Sequence, residues 1–309
     1  MKSDPGVNPS EQNASLLQGL VISHLGKGLA VETETGRLIL CHTRRRLGDA
    51  AVGDRVMWTP CDGDQGRVEE ILPRRSVLTR PGHAGKLRYV AANLDRLLVV
   101  LAPLPEPDWL LVDQYLAVCE LRGIQAELIF NKIDLPAENL APIHSYAQIG
   151  YRTYRICAHS GAGLDDLKQA LQGHCSMLAG QSGVGKSSLT NALLPNRAAL
   201  RVGELSDRSG MGRHTTTAAT LYHLPSGGDL IDSPGVAVFG LAEISGQDLA
   251  WGYREFKPHI PQCQFNDCRH INDKGCAVRQ ALESGEIAAD RYARYLKLRE
   301  KLADQGVGL

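Results

Sequence analysis

Gly180–Gln181–Ser182–Gly183–Val184–Gly185–Lys186–Ser187–Ser188 carries the pattern G-x-x-x-x-G-K-[ST] without a mismatch. It lies between a strand-like apolar run, CSMLAG, and a helix-like run, SSLTNALL. Glycines in such a loop let backbone N–H groups fold around phosphate oxygens, and the helix N-terminus that follows adds positive potential. Lys186 is expected to reach the β- and γ-phosphates, and Ser187 to offer its hydroxyl to Mg²⁺. The pattern alone does not separate ATP from GTP.

Asn131–Lys132–Ile133–Asp134 does. These residues follow the apolar run AELIF, which places them at the carboxyl end of a strand, where open α/β sheets bind ligands. An aspartate there accepts hydrogen bonds from the guanine N1–H and exocyclic amino group. Adenine offers no such pair of donors, so the carboxylate would be left unpaired. Asn131 is expected to brace the loop, and the Lys132 stem to cover the base. In CAHSGAGL, Cys157–Ala158 stands where GTPases usually carry Ser–Ala, with the Ala158 N–H directed at guanine O6.

Further on, Asp232–Ser233–Pro234–Gly235 ends the apolar run DLI. Its carboxylate is expected to hold Mg²⁺ through water, and the Gly235 N–H to sense the γ-phosphate. The intervening GELSDRSGMGRHTTTAATL has the composition of a switch loop that orders only when the γ-phosphate is present. Thr216 is the candidate for the second Mg²⁺ hydroxyl, with Thr215 as the alternative. Ordinary GTPases read phosphate loop, switch threonine, Asp-x-x-Gly, Asn-Lys-x-Asp, Ser-Ala. Here Asn131–Asp134 and Cys157–Ala158 come first, so the cyclic order is kept and the cut moved: the domain reads as a circular permutant. Permutation is tolerated where the original termini lie close together. Val236 replaces the glutamine that many GTPases use to orient water, which predicts slow intrinsic turnover. His214 is the candidate for aligning the nucleophile, with RNA contact or plain solvation as the alternative. Gly183 stands where potassium-stimulated GTPases place Asn, so no K⁺ is invoked.

A second constellation, Cys263, Cys268, His270 and Cys276, is spaced C-x₄-C-x-H-x₅-C. Three thiolates and one imidazole make a closed tetrahedral set for one structural Zn²⁺, without an open position for catalysis. So short a segment has little core of its own, and metal binding would supply much of its folding energy.

The elements that must position these groups fall into three blocks. LQGLVISHLG, GLAVETET, RLILCHT, DRVMWTP and GRVEEIL read as five short strands over residues 17–80. They suggest a small barrel of the oligonucleotide-binding (OB) type, with an SH3-like barrel as rival. Residues 81–243 alternate strand and helix patterns, as a doubly wound α/β domain does. Residues 244–309 hold the cysteine cluster and SGEIAADRYARYLKLREKLAD, a helical pattern for which Ser284 is a candidate cap. Residues 1–16 read as a disordered arm. The 309 residues carry a formal net charge of zero and pI ≈ 7.1, so no global field draws the chain to nucleic acid or membrane. Polyanions must be held by local patches, for which Arg44–Arg46 and Arg74, Arg75 and Arg80 are candidates for facing RNA. No apolar run approaches the ~18 residues a membrane span needs, and the first residues lack the apolar core of a signal peptide. Eight cysteines, three of them clustered around one histidine, fit a reduced cytosolic protein with a metal site better than a disulfide framework.

Together, the barrel, the permuted GTPase with GQSGVGKSS, GRHTTT and DSPG, and the C-x₄-C-x-H-x₅-C cluster resemble the bacterial small-ribosomal-subunit-dependent GTPase family (RsgA, also called YjeQ or YloQ). The resemblance covers nearly the whole chain. It implies a cytoplasmic factor, monomeric and without a membrane, that acts late in maturation of the small (30S) subunit. It further implies GTP hydrolysis to GDP, stimulated by that subunit and coupled to release, with the barrel and zinc module gripping ribosomal RNA. Two other classes stand against it: an RNA-binding scaffold with a slow regulatory GTP site, and a metabolic ATPase or kinase, which Asn131–Asp134 disfavours.

Overall fold

The computed structural model describes residues 16–26, 28–44, 47–61, 65–82, 87–136, 141–195, 219–233 and 244–304. Strands β1 (Leu17–Leu25), β2 (Gly28–Thr33), β3 (Leu38–Thr43), β4 (Arg55–Pro60) and β5 (Gln65–Ile71) pair in the order β1-β2-β3-β5-β4, and β4 closes back on β1. The result is the five-stranded barrel expected, with β3 and β5 parallel and the other pairs antiparallel. Alternation places Leu29, Val31, Ile39, Cys41, Val56, Trp58 and Val68 inside. A Cβ on Gly66 would lie 2.6 Å from the Trp58 ring, so only glycine leaves room for that indole.

A hairpin of β6 (Val77–Pro81) and β7 (Leu87–Ala92) forms a separate two-stranded sheet. It leads into β8 (Arg96–Leu101), β9 (Gln125–Phe130), β10 (Arg152–Arg155) and β11 (Cys175–Ala179). The hairpin β12 (Thr220–His223) and β13 (Asp229–Asp232) completes the second sheet, whose order is β10-β9-β8-β11-β13-β12. All but β12 run parallel. In β8 every residue is buried: Leu97, Val99 and Leu101 face one core, and Leu98 and Val100 the other. That is why RLLVVL reads as an unbroken apolar run, since a parallel sheet is covered on both faces. One cover is α1 (Trp109–Arg122) with α2 (Ala141–Gln148); the other is α3 (Leu164–Leu171) with α4 (Lys186–Leu193). Asp108 caps α1 by accepting the Leu111 N–H, and Gly123 ends it in the left-handed region at φ 65°.

The C-terminal block contains α5 (Asp248–Trp251), α6 (Ala277–Glu283) and α7 (Ala289–Asp304). Here the expected cap is corrected. Ser284 ends α6 instead of starting the last helix, donating its hydroxyl to the Ala281 carbonyl, and Gly285 turns the chain at φ 82°. The block docks on α1 through buried charge. Asp113 accepts from Arg291, from Arg294 (2.6 Å) and from Tyr146, while Arg291 also donates to Glu255 at 2.6 Å. Glu120 accepts from Arg254 and Lys257.

The barrel joins the second sheet at Ser23, paired with Thr220; the Ser23 hydroxyl donates to the Ala219 carbonyl at 3.0 Å. Nearby, His223 lies between Asp229 (2.6 Å) and Glu32 of the barrel (2.7 Å). The Asp229 contact, with help from Glu32, raises its pKa from 6.5 to about 9 against the effect of burial. A folded pKa above the unfolded one gives stability that is full below pH 6.5 and lost as pH rises through about 9. The side chain is half exposed, so solvent weakens the effect. Melting temperature is expected to fall between those pH values and to fall less in His223→Gln. Parallel curves for the two proteins would refute the bridge.

Candidate nucleotide site and metal centre

The loop Gly180–Gly185 joins β11 to the N-terminus of α4, with Gly180, Gly183 and Gly185 at positive φ. Two of these also permit close approach. A Cβ on Gly180 would meet the Val100 carbonyl oxygen of β8 at 2.3 Å, and one on Gly185 would meet Asn131 Nδ2 at 2.3 Å. Lys186 donates to the Gly180 (2.8 Å) and Gln181 (2.6 Å) carbonyls. Burial holds its ammonium below the ordinary lysine range, and the charge of Asp232 opposes that shift. Asp232 ends β13, the strand beside β11, so its carboxylate and the Lys186 loop share one end of the sheet.

Asn131, at the end of β9, is 2 % exposed and ties two loops together. Its Nδ2 donates to the Val184 carbonyl at 3.0 Å, and its Oδ1 accepts the Ala158 N–H at 3.0 Å. That N–H, expected to face guanine O6, here serves the loop. Lys132, at φ 61°, spans the cleft and donates to Leu104 (2.8 Å) and Gly183 (2.7 Å) carbonyls. Ile133 is bound through its N–H to the Ile156 carbonyl, which brings this loop beside the end of β10. The buried Cys157 occupies the expected serine position. Its thiol donates to Asp134, the first cause holding that carboxyl below its usual range, and its sulfur accepts from the Ser160 N–H.

Some contacts had no signal in sequence. Gln181 accepts the Asp108 N–H at 2.8 Å and donates to the Glu106 carbonyl at 3.1 Å, pinning the start of α1 to the glycine loop. The buried Tyr115 phenol, pushed up to about 12 by burial, bonds to the Gly180 backbone. Ser182, Ser187 and Ser188 lie on the same loop and first turn. His214, Thr215, Thr216, Pro234, Gly235 and Val236 lie outside the described residues.

Cys263, Cys268, His270 and Cys276 converge, with one donor atom from each lying within 4.8 Å of all the others. His270 Nδ1 is 3.6 Å from Cys263 Sγ and 3.5 Å from Cys276 Sγ. Burial pushes the Cys268 thiol up to about 12, raises Cys276 and lowers His270. Two thiols kept protonated by burial, Cys268 and Cys276, beside a neutral imidazole suit a cation that displaces the thiol protons as it binds. The donor set fits zinc. Helix α7 clamps the histidine turn, with the Tyr292 phenol donating to the His270 carbonyl and Tyr295 to that of Arg269.

The basic clusters are mostly spoken for. Arg44 pairs with Glu69, Arg75 with Asp95, and Arg74 grips the fully buried Asp54 with two bonds of 2.8 Å. Arg45 and Arg46 lie outside the described residues.

Residues 71–242 match the family model described as RsgA GTPase, more than half of the chain. The chain belongs to the RsgA GTPase family. It is 46% identical over 282 residues to the "Small ribosomal subunit biogenesis GTPase RsgA" of Pseudomonas aeruginosa (strain LESB58), covering 90% of this chain and 83% of that protein. The protein of the same name from Dickeya dadantii (strain 3937) is 44% identical over 296 residues, covering 93% and 85%. The crystal structure of YjeQ from Thermotoga maritima superposes with a TM-score of 0.76 at 34% identity, covering 94% of this chain and 99% of that one. The crystal structure of "YloQ, a circularly permuted GTPase" gives 0.73 at 27% identity, covering 96% and 99%. As an RsgA GTPase the chain is a GTP hydrolase, and its strand order carries the circular permutation that the motif order implied. Among the described residues no helix is long and apolar enough to cross a membrane.

Proposed function

We propose that this RsgA GTPase works in the cytoplasm as a monomeric late maturation factor of the small ribosomal subunit, binding its RNA and hydrolysing GTP to GDP and phosphate when the subunit stimulates it. The observation that carries the site assignment is Asn131, whose amide spans from the glycine loop to the Cys157–Ala158 turn and so sets two ends of one nucleotide site. In this reading Gly180–Ser188 cradle the phosphates, and Lys186 leaves the loop carbonyls to meet the β- and γ-phosphates. Asp134 accepts from the guanine edge, while Asn131, Lys132, Ile133, Cys157 and Ala158 shape the base pocket. Ser187, Thr216 and Asp232 would hold Mg²⁺, with the Gly235 N–H set against the γ-phosphate. Held by these residues, Mg²⁺ would supply charge neutralisation for phosphoryl transfer. His214 is assigned to orienting the attacking water, since Val236 cannot. Cys263, Cys268, His270 and Cys276 would hold one structural Zn²⁺ that fixes the C-terminal block. On this reading the chain divides into an arm (1–16), a barrel (17–80), the GTPase domain (81–243) and the zinc block (244–309).

The test is hydrolysis of GTP and ATP with and without purified small subunits. GTP-only turnover that rises steeply with subunits supports the proposal. Tight GTP binding without stimulation would favour the scaffold reading, and ATP turnover would overturn both.

A further inference from the structure

From Pro73 to Ala92 the chain reads PRRSVLTRPGHAGKLRYVAA, with five Arg or Lys and no carboxylate, in a protein of zero formal net charge. Arg74 and Arg75 are committed to Asp54 and Asp95. Arg80 and Arg88 are not: neither forms an ion pair with any described residue. They are direct cross-strand partners in the β6–β7 hairpin. Like charges at opposed positions of an antiparallel pair repel, and among the described residues no carboxylate pairs with either arginine to offset that repulsion.

The hairpin also fixes which way the pair faces. Thr79 and Tyr89 are partners on its other face. Thr79 is buried, and the Arg74 guanidinium lies 4.3 Å from the centre of the Tyr89 ring while it holds Asp54 of the barrel. Arg80 and Arg88 lie on the opposite face, Arg88 exposed and Arg80 half-buried, while Tyr89 is itself 38 % exposed. At its base the hairpin is bonded on several sides. Asn93 donates to the Gly53 carbonyl, the Ala92 N–H to Val52, and the Ser76 hydroxyl to Leu94. The register therefore sets Arg80 and Arg88 opposite each other on an arm anchored at its base.

We propose that Arg80 and Arg88 form an RNA-backbone contact, gripping adjacent phosphates with planar guanidinium groups suited to paired phosphate oxygens. The inference rests on the reading above that the partner is an RNA-bearing particle. An anion between the two arginines relieves their mutual repulsion, which explains a pairing that the fold alone disfavours.

The test compares the full-length protein with Arg80→Gln/Arg88→Gln and with Arg88→Glu. Binding is measured across a salt series, both to protein-free small-subunit RNA and to intact small subunits. Basal GTP hydrolysis and melting temperature are followed in parallel. On protein-free RNA the double variant is expected to lose about 1.4 to 1.8 from the slope of log affinity against log salt, and roughly tenfold to thirtyfold in affinity near physiological salt. Arg88→Glu should bind as weakly or more weakly without melting earlier, because it turns a repelling pair into an attracting one. Basal hydrolysis should not change. Unchanged slope and affinity on protein-free RNA would overturn the proposal. So would a loss confined to intact subunits, which would assign the pair to an acidic protein surface. If the unmodified protein bound RNA through this pair yet ignored intact subunits, the proposed function would fail and the arginine contact would stand.

Discussion

Asp134→Asn is expected to lower the preference for GTP over XTP by about 10² to 10⁴-fold, from the loss of two charge-assisted hydrogen bonds of ~1.5–3 kcal/mol each. The Cys157 thiol holds the Asp134 carboxyl below its usual range, so at neutral pH the group is an anion that only accepts. In the proposed site guanine would present an N1–H and an amino group to it. An asparagine amide keeps one acceptor but turns an N–H towards the guanine amino group, donor against donor. Xanthine carries a carbonyl at that position and accepts from the amide. Competition between GTP and XTP during hydrolysis reads the effect directly. A variant that still prefers GTP by the original margin would show that another residue reads the base. Cys157→Ser, which supplies a stronger donor to the same carboxylate, should keep the GTP preference.

The second large effect is structural. Asp113→Ala should destabilise the protein by about 3–5 kcal/mol, the usual consequence of removing one partner from a buried ionic network. Asp113 is 1 % exposed and accepts from Arg291, Arg294 and Tyr146, while Arg291 is itself only 2 % exposed. Without the carboxylate, two guanidinium groups face the interface between α1 and α7 with one anion fewer; Arg291 keeps Glu255, and Arg294 keeps only the more exposed Asp290. Denaturant unfolding gives the stability, and limited proteolysis of α7 shows whether the C-terminal block leaves first. Asp113→Asn, which retains acceptor capacity, should fall between the two. If Asp113→Ala unfolded at the same denaturant concentration as the unmodified protein, the network would be decoration.

The elements around the candidate nucleotide site were legible because their signals are local. The glycine loop sits between β11 and α4, and Asn131–Asp134 caps β9, each within a few residues of the element that positions it. The barrel strands and the cysteine spacing were readable for the same reason. What stayed hidden joins residues far apart in the chain. Asp113 meets Arg291, Glu32 meets His223, and Gln181 meets Asp108, and none of these pairs lies within one periodic segment. The same limit explains the arginines. Arg74 and Arg75 looked like a free basic patch, yet Asp54 and Asp95 come from distant turns to claim them. Ser284 misled for a different reason. A serine followed by a helical pattern suits an N-cap, but Ser–Gly equally suits a helix end, and Gly285 at positive φ decides for the latter.

The sheet order has a consequence for how the protein is made. During synthesis β8, β9 and β10 leave the ribosome in sequence and are spatial neighbours, so they can pair at once as a parallel layer under α1. The central strand β11 then adds on the far side of β8, followed by the β12–β13 hairpin. The loop at Asn131 precedes Lys186 by roughly fifty residues, several seconds of translation at about 5–20 residues per second. Asn131 and Lys132 thus emerge well before the Val184 and Gly183 carbonyls they bond, and their side chains find those partners only once the glycine loop has left the ribosome.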